Sequence, residues 1–203
     1  MTFAVLSRFL VDLLWFDSLG FKTVFMTGWL TEITVFVIAT VLSSTLLLLN
    51  GLIAVSASAT LRPPRGFRVL GRNQQGLPES IEISLAHLPW RLLVIAVAVL
   101  IGVFIGFAQT GNWDTVLKWL YAAPFGRSDP IFGRDLGFYV FSLPVYDLIQ
   151  DWALLIIFLS AAMAVLIYFA RGSITYQQTG FPTVSSAALR HLSALLGIFF
   201  LVK

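Results

Sequence analysis

Four aspartates in the second half of the chain have the side chains best suited to chemistry. They are Asp129, Asp135, Asp147 and Asp151. Their carboxylate oxygens are the ligands that a hard cation such as Ca²⁺ prefers, but such a site takes several oxygens from one compact loop. These acids are spread over more than twenty residues, and Arg127 and Arg134 lie near enough to pair with them. We therefore predict no metal site.

Other residues that serve catalysis are absent or isolated. The sequence has no cysteine, which excludes disulfides, thiolate metal sites and cysteine nucleophiles. Its two histidines, His87 and His191, stand near different predicted helix starts and have no ligand spacing, so we interpret them as interfacial residues. The segment 71–76 lacks the Lys-Ser/Thr of a phosphate loop, and no serine has a histidine and an aspartate nearby. We predict no catalytic residue and no cofactor.

The composition predicts a membrane protein. Of the 203 residues, 58% are hydrophobic and 11% are charged, whereas a soluble domain has about 25% charged residues. The eighteen Phe and six Trp suit a surface that meets lipid and its headgroups. The net charge of +3 does not indicate nucleic acid, because its arginines cluster in a loop between apolar segments rather than on a polar surface.

The apolar segments are long enough to cross a bilayer as helices. Between Glu32 and Arg62 lie 29 uncharged residues, and about 20 suffice for a span. Runs such as Leu46–Leu49 do not alternate as barrel strands do. We predict an all-α, polytopic membrane helix bundle with an interfacial amphipathic extracytoplasmic loop. Its predicted spans are residues 31–57, 92–108, 152–170 and 187–203, the last cut by the chain end.

The basic residues predict the orientation. Seven of them lie in two predicted loops or just beyond the second, at Arg62, Arg65, Arg68, Arg72, Arg91, Arg171 and Arg190, against five on the other side. Since Lys and Arg mark the cytoplasmic side, we place residues 58–91 and 171–186 in the cytoplasm and residues 1–30 and 109–151 outside. The arginines between 62 and 72 are expected to contact anionic lipid headgroups, at about 1 kcal/mol per basic residue.

Two small-residue patterns in the predicted spans leave alternatives open. Ser43, Asn50 and Ala54 share one face of the first span, with Ser44 beside it. Ser43, Ser44 and Asn50 line either a polar pathway or an ordinary helix-packing face. Gly102 and Gly106 form a GxxxG motif in the second span, for packing within the chain or for homodimerisation. We favour packing within the chain for both, and the oligomeric state stays open. No ionisable residue lies mid-way in the first three spans, which weighs against a coupled transporter.

The predicted outside loop begins with a helical pattern. Trp113, Val116, Leu117, Leu120 and Tyr121 follow helical spacing with Asp114 and Lys118 opposite, which predicts a short helix lying in the interface. Turn residues such as Asp129-Pro130 follow. The aromatic residues Phe138, Tyr139 and Phe141 are expected to anchor this loop at the membrane surface.

Two sequence blocks are similar to a known family signature. The first is LWFDSLGF at residues 14–21, followed by Val24-Phe25. The second is DPIFG at 129–133, Asp135, and FYVFSLP at 138–144. Together they resemble Uncharacterised Protein Family 0182, large bacterial membrane proteins, over nearly the whole chain. The resemblance implies a plasma membrane protein of about seven spans with a large extracytoplasmic region further on, and no specific activity.

The resemblance also bears on the chain ends. The chain starts near the end of the family's first span and stops before the extracytoplasmic region, so we expect a fragment of a longer protein. Residues 3–16, with Arg8 and Asp12 on one stripe, form either an interfacial amphipathic helix or the outer end of a truncated span.

Three function classes remain at this point. The first is a membrane scaffold or anchor for an extracytoplasmic region absent from this chain, which we favour. The second is a transporter or channel component. The third is a membrane enzyme with its active site in the missing part.

Overall fold

The fold is mainly α-helical, as the sequence predicts. The computed structural model describes residues 2–58, 67–72, 78–83, 88–176 and 182–203. A 3₁₀ turn at Thr110–Asn112 and a π-helical turn at Phe138–Ser142 lie between helices. The helices are α1 (Thr2–Ser18), α2 (Lys22–Ser58), α3 (Trp90–Gln109), α4 (Trp113–Leu120), α5 (Leu143–Ala170) and α6 (Ser186–Val202).

Two short strand pairs lie in the segments we predicted only as loops. Strand β1 (Phe67–Arg72) pairs antiparallel with β2 (Pro78–Ile83), with Phe67 opposite Ile83. Strand β3 (Ile174–Tyr176) pairs antiparallel with β4 (Pro182–Val184), with Ile174 opposite Val184. Strands of three to six residues give too short a pattern to stand out beside the long apolar helices.

Three continuous helical segments are long and apolar enough to cross a membrane. They are Lys22–Ser58, Trp90–Leu120 and Phe138–Ala170, with 37, 31 and 33 residues. The first begins at Lys22, well before the predicted span at residue 31. Glutamate has a high helix propensity, so the single charge of Glu32 does not end the helix. It starts after a turn at Gly20, whose φ of +77° is a conformation that glycine adopts without strain.

The chain divides into two units by its contacts. Unit 1 comprises Met1–Leu42 and Gly102–Ile149. There α1 packs on the start of α2 through Phe9, whose ring centroid lies 4.9 Å from that of Trp29. Gly106 of α3 packs against Thr40 and Phe36 of α2, where a Cβ atom would collide with both. The GxxxG motif therefore supports packing within the chain.

Unit 2 comprises Ser43–Ile101 and Gln150–Lys203. Its core holds the small-residue face of α2, since Ser43, Asn50 and Ala54 are all buried. A Cβ atom on Gly51 would lie 2.5 Å from Val94 Cγ1 and 3.0 Å from Met163 Cε, so α3 and α5 approach α2 closely at this point. The contacts support the packing interpretation of this face.

Candidate functional site

The structure gives the four aspartates separate surroundings. Asp129 and Asp135 lie in the loop between α4 and α5, and Asp147 and Asp151 are exposed on α5. Within the described ranges no group of three or more His, Cys, Asp or Glu is placed to hold a metal ion. The carboxylates of Asp129 and Asp135 instead accept hydrogen bonds from their own loop.

Asp135 organises the loop of residues 125–141, which we call the signature loop. Its Oδ1 accepts hydrogen bonds from the backbone N–H groups of Phe125 at 3.0 Å and Gly137 at 2.7 Å, and its Oδ2 from Gly126 at 2.9 Å. These donors, Phe125 first, hold the pKa of the Asp135 carboxyl below its usual value because they stabilise the charged form. A side chain at Gly137 would meet Asp135 Oδ1 at 2.9 Å, so the approach requires glycine.

Asp129 closes the turn at the tip of the same loop. Its Oδ2 accepts from the Phe132 N–H at 2.8 Å and from the Tyr139 hydroxyl at 3.1 Å. The backbone carbonyl of Asp129 accepts from the N–H of Gly133, which has a φ of +66°. The Phe132 N–H, above all, lowers the pKa of the Asp129 carboxyl. The two aspartates thus serve as acceptors for a tight turn.

The arginines of the signature loop do not pair with these acids. Within the described ranges the salt bridges are Lys22–Asp17 at 3.7 Å and Lys118–Asp114 at 2.9 Å. The guanidinium carbon of Arg134 lies 4.6 Å from the centroid of the Phe138 ring, a cation–π distance.

An open apolar depression of about 430 Å³ lies on the signature loop. Its rim is exposed, with Ile131 at 80% and Phe132 at 74% of their full exposure nearby. The lining residues are Phe125, Asp129, Phe132, Leu136, Tyr139 and Val140. Because backbone N–H groups already occupy both carboxylates, this surface is suited to apolar recognition rather than to acid–base chemistry.

The helix predicted at the start of this region is present, and a π-helical turn that the sequence analysis did not predict lies at its end. Helix α4 covers Trp113–Leu120, with Asp114 and Lys118 paired one turn apart on the surface. The π-helical turn at Phe138–Ser142 precedes α5, and such turns are uncommon and frequent at functional sites.

A buried polar network in unit 2 escaped the sequence analysis. His191 Nε2 lies 3.3 Å from Asn50 Nδ2, and His191 Nδ1 lies 2.9 Å from the hydroxyl of the fully buried Tyr168. The indole N–H of Trp152 donates to Ser43 Oγ at 3.0 Å. His191 thus joins α2 and α5 to α6, which the interfacial interpretation did not anticipate. No local pattern could reveal it, because Asn50 is 141 residues away.

Several predicted residues lie outside the part that the structure describes. They include His87 and the arginines Arg62 and Arg65. Of the same arginine group, Arg68 and Arg72 belong to strand β1.

The model of the uncharacterised protein family UPF0182 matches residues 1–203. The chain belongs to this family. The signature loop and the segment at 14–21 are the two blocks on which the resemblance was recognised, and the family membership is therefore confirmed.

Curated UPF0182 proteins from several bacteria are similar to the chain. One from Bradyrhizobium diazoefficiens is 36% identical over 98% of the chain, which covers 22% of that relative. One from Cupriavidus necator is 35% identical over 95% of the chain and 20% of the relative. One from Streptomyces coelicolor is 30% identical over the whole chain and 19% of the relative.

The chain therefore spans about a fifth of the length of these UPF0182 relatives. No solved structure matches it.

Proposed function

We propose that this UPF0182 chain is a multi-pass part of a plasma membrane protein and acts as a scaffold that anchors an extracytoplasmic region. The observation that carries the proposal is the set of three long apolar helical segments. Only 11%, 28% and 33% of the most apolar window in each is buried within the chain. On α2, for example, Leu49 and Ile53 are about half exposed. Lipid covers such surfaces at no hydrophobic cost, whereas water does not.

Lengths and charges support the membrane placement. At 1.5 Å per residue, a helix of about 20 residues crosses about 30 Å of hydrocarbon, and each segment exceeds that length. The excess of arginine in 58–91 and 171–186 favours a cytoplasmic location for these segments. The signature loop then lies on the outside. We expect the arginines of 62–72 to contact anionic headgroups of the inner leaflet.

The hydrogen-bonded polar side chains of α2 favour a scaffold over a transporter, whereas Thr40 Oγ1, Ser44 Oγ and Asn50 Oδ1 are buried with no hydrogen-bond partner among the described residues. Ser43 accepts a hydrogen bond from Trp152, and Asn50 contacts His191. Ser58 donates within its own helix, to the carbonyl of Ala54 at 2.8 Å. Side chains that bond to neighbouring helices fasten a bundle, and they are not free to exchange partners with a passing solute. The signature loop, held by Asp129 and Asp135, is a fixed apolar surface on which a further region can dock.

The absence of cysteine allows a direct test of the topology. Single Arg68→Cys and Ser128→Cys variants would be treated in intact cells with a membrane-impermeant maleimide. We expect position 128 to react in intact cells, and position 68 to react only after permeabilisation. Reaction of position 68 from outside would overturn the orientation, and loss of the protein from membranes in alkaline carbonate would overturn the membrane placement.

The scaffold role has a separate test. The part of the Bradyrhizobium diazoefficiens relative that this chain does not match, produced alone, should be retained by vesicles that contain this chain. Asp135→Ala should weaken the retention, because the signature loop loses the acceptor of three N–H groups. Asp147→Ala, at an exposed acid on α5, is the matched control. Equal retention by both variants, or none by the unaltered chain, would contradict the scaffold role.

A further inference from the structure

A groove in unit 1 lies between α1, α2 and α4, at some distance along the chain from the signature loop. Its volume is about 300 Å³. It is lined mainly by aromatic rings from all three helices, with one carboxylate, and we call it the Glu32 groove. The lining residues that matter are Phe16, Phe25, Gly28, Trp29, Glu32 and Trp113.

The aromatic wall of the Glu32 groove is held by ring contacts. The Phe16 and Phe25 ring centroids lie 5.4 Å apart, and Phe9 packs against both Phe25 at 5.5 Å and Trp29 at 4.9 Å. Interlocked rings keep a wall in one conformation, since each ring restricts the rotamers of the next. The groove is therefore a formed surface.

Trp113 packs directly on α2 at Gly28. A Cβ atom at position 28 would lie 3.4 Å from Trp113 Cζ3, an ordinary van der Waals contact. A second depression of about 380 Å³ shares Gly28 and Trp113 with the first and extends toward Leu117 and Tyr121. Together they offer one site for a small polar head and a longer apolar strip beside it.

Glu32 is the charged group of this groove. Its side chain is exposed, and within the described ranges it has no salt bridge. The two lysines of unit 1 are engaged elsewhere, Lys22 with Asp17 and Lys118 with Asp114. A carboxylate beside apolar rings attracts a cation.

The position of Glu32 along α2 corresponds to the outer edge of the bilayer. It directly precedes the 29 uncharged residues that end at Arg62. Lys22 lies ten residues earlier, or about 15 Å at the helical rise. Tryptophan rings prefer this interfacial depth, and Trp29 and Trp113 flank the carboxylate. The groove faces the level at which lipid headgroups lie.

We propose that the Glu32 groove binds a phospholipid with an ammonium headgroup, namely phosphatidylethanolamine. The Glu32 carboxylate accepts hydrogen bonds from the ammonium group, and the faces of Trp29 and Trp113 attract it through cation–π interactions. The acyl chains lie on the apolar strip and on the exposed face of α2. An anionic headgroup is repelled by Glu32 and gains nothing from the rings. This proposal rests on the membrane placement proposed above.

The test compares two lipids on the same protein. The whole chain, purified in detergent, would be offered equal amounts of phosphatidylethanolamine and phosphatidylglycerol, and the lipid retained would be measured by native mass spectrometry. We expect phosphatidylethanolamine to be retained at least about fivefold over phosphatidylglycerol, consistent with one ion pair and one or two cation–π contacts. Glu32→Gln should bring the ratio near one, and Trp29→Leu should lower it in part.

Controls separate this inference from the proposed function. Asp12→Asn removes an exposed acid from α1, outside the groove, and should leave the lipid ratio unchanged. An unchanged ratio in Glu32→Gln, or equal retention of both lipids by the unaltered chain, would overturn the groove proposal. Carbonate extraction of the membranes from which each variant is purified reports insertion independently. A chain that inserts without lipid preference would contradict only the groove, and one that does not insert would contradict the proposed function.

Discussion

Asp129 and Asp135 link the order of the signature loop to their own ionisation. The Asp135 carboxylate accepts three backbone N–H groups, and the Asp129 carboxylate accepts one together with the Tyr139 hydroxyl. When a carboxyl gains a proton, it loses part of its acceptor capacity and its charge, and these hydrogen bonds weaken. Asp129 and Asp135, whose carboxylates could have suggested a metal site, therefore stabilise the loop through hydrogen bonds.

The sign of the pH dependence follows from the lowered pKa values. Because both folded pKa values lie below the ordinary value near 3.8, the stabilisation is present in full above that value and is lost as the pH falls through the folded pKa. We expect the amides of Phe125, Gly126 and Gly137 to be protected from hydrogen exchange at pH 6 and to lose protection below about pH 4, after correction for intrinsic rates.

Two controls sharpen this measurement. The Tyr121 N–H donates to the Leu117 carbonyl at 3.0 Å, so its protection should not depend on these carboxyls. Asp135→Ala, which removes both acceptor oxygens, should leave the three amides of the loop exchanging quickly at every pH. Protection that persists unchanged to pH 2 would mean that the carboxylates do not hold the loop.

At the scale of the elements, close helix packing depends on glycine. Gly106 brings α3 against Thr40 and the Phe36 carbonyl, whereas Gly197 of α6 has open space around it. Gly106→Ala should destabilise the chain by about 1–3 kcal/mol through overpacking. Gly197→Ala should be neutral or stabilising by up to about 1 kcal/mol, since alanine favours the helix. Unfolding in detergent measures both, and equal stability of the two variants would refute the close contact.

The network of α2, α5 and α6 predicts energetic coupling between distant residues. In a double-mutant cycle, Asn50→Ala and His191→Ala should interact by about 0.6 kcal/mol, with about 1.7 kcal/mol as an upper value. Asn50→Ala and Ser56→Ala are the control pair, because Ser56 bonds to its own helix at an exposed position. That pair should be additive. Zero coupling between Asn50 and His191 would mean that their contact is not formed in solution.

The elements were predictable from sequence to the extent that local pattern determines them. Uncharged runs and helical spacing predicted the three long helices and α4, and a short motif predicted the packing at Gly106. The helix ends were harder to predict. Helix α2 begins at Lys22 rather than after Glu32, because glutamate is a good helix former and its charge does not end the helix. The role of His191 was hidden, since pairing with Asn50 depends on the tertiary fold alone.

The sequence indicated where the candidate site lies, but not what its residues do. The family signature located the signature loop, and its glycines and prolines indicated turns. The convergence of three N–H groups on Asp135 depends on positive φ at Gly126 and on the close approach of Gly137. Backbone geometry of this kind is not visible in residue types.

At the scale of the whole molecule, the proposed orientation rests on the distribution of basic residues. Replacing Arg65, Arg68 and Arg72 by glutamine removes three of the seven positive charges on the proposed cytoplasmic side. We expect part of the population to insert in the opposite direction, so that labelling of Ser128→Cys in intact cells falls. Replacing Lys118, Arg127 and Arg134 by glutamine is the matched control and should not reduce labelling. Unchanged labelling after loss of the three arginines would contradict this explanation.

The π-helical turn at Phe138–Ser142 has a consequence for how the molecule tolerates change. A π turn contains about one residue more than an α turn, and each helical residue rotates the chain by roughly 100°. Deleting one residue here would convert the turn to an α-helix and swing residues 125–137 about a quarter of a turn around the axis of α5. The direction in which the loop faces is thus encoded in the number of residues, and a substitution that spares the turn does not alter it.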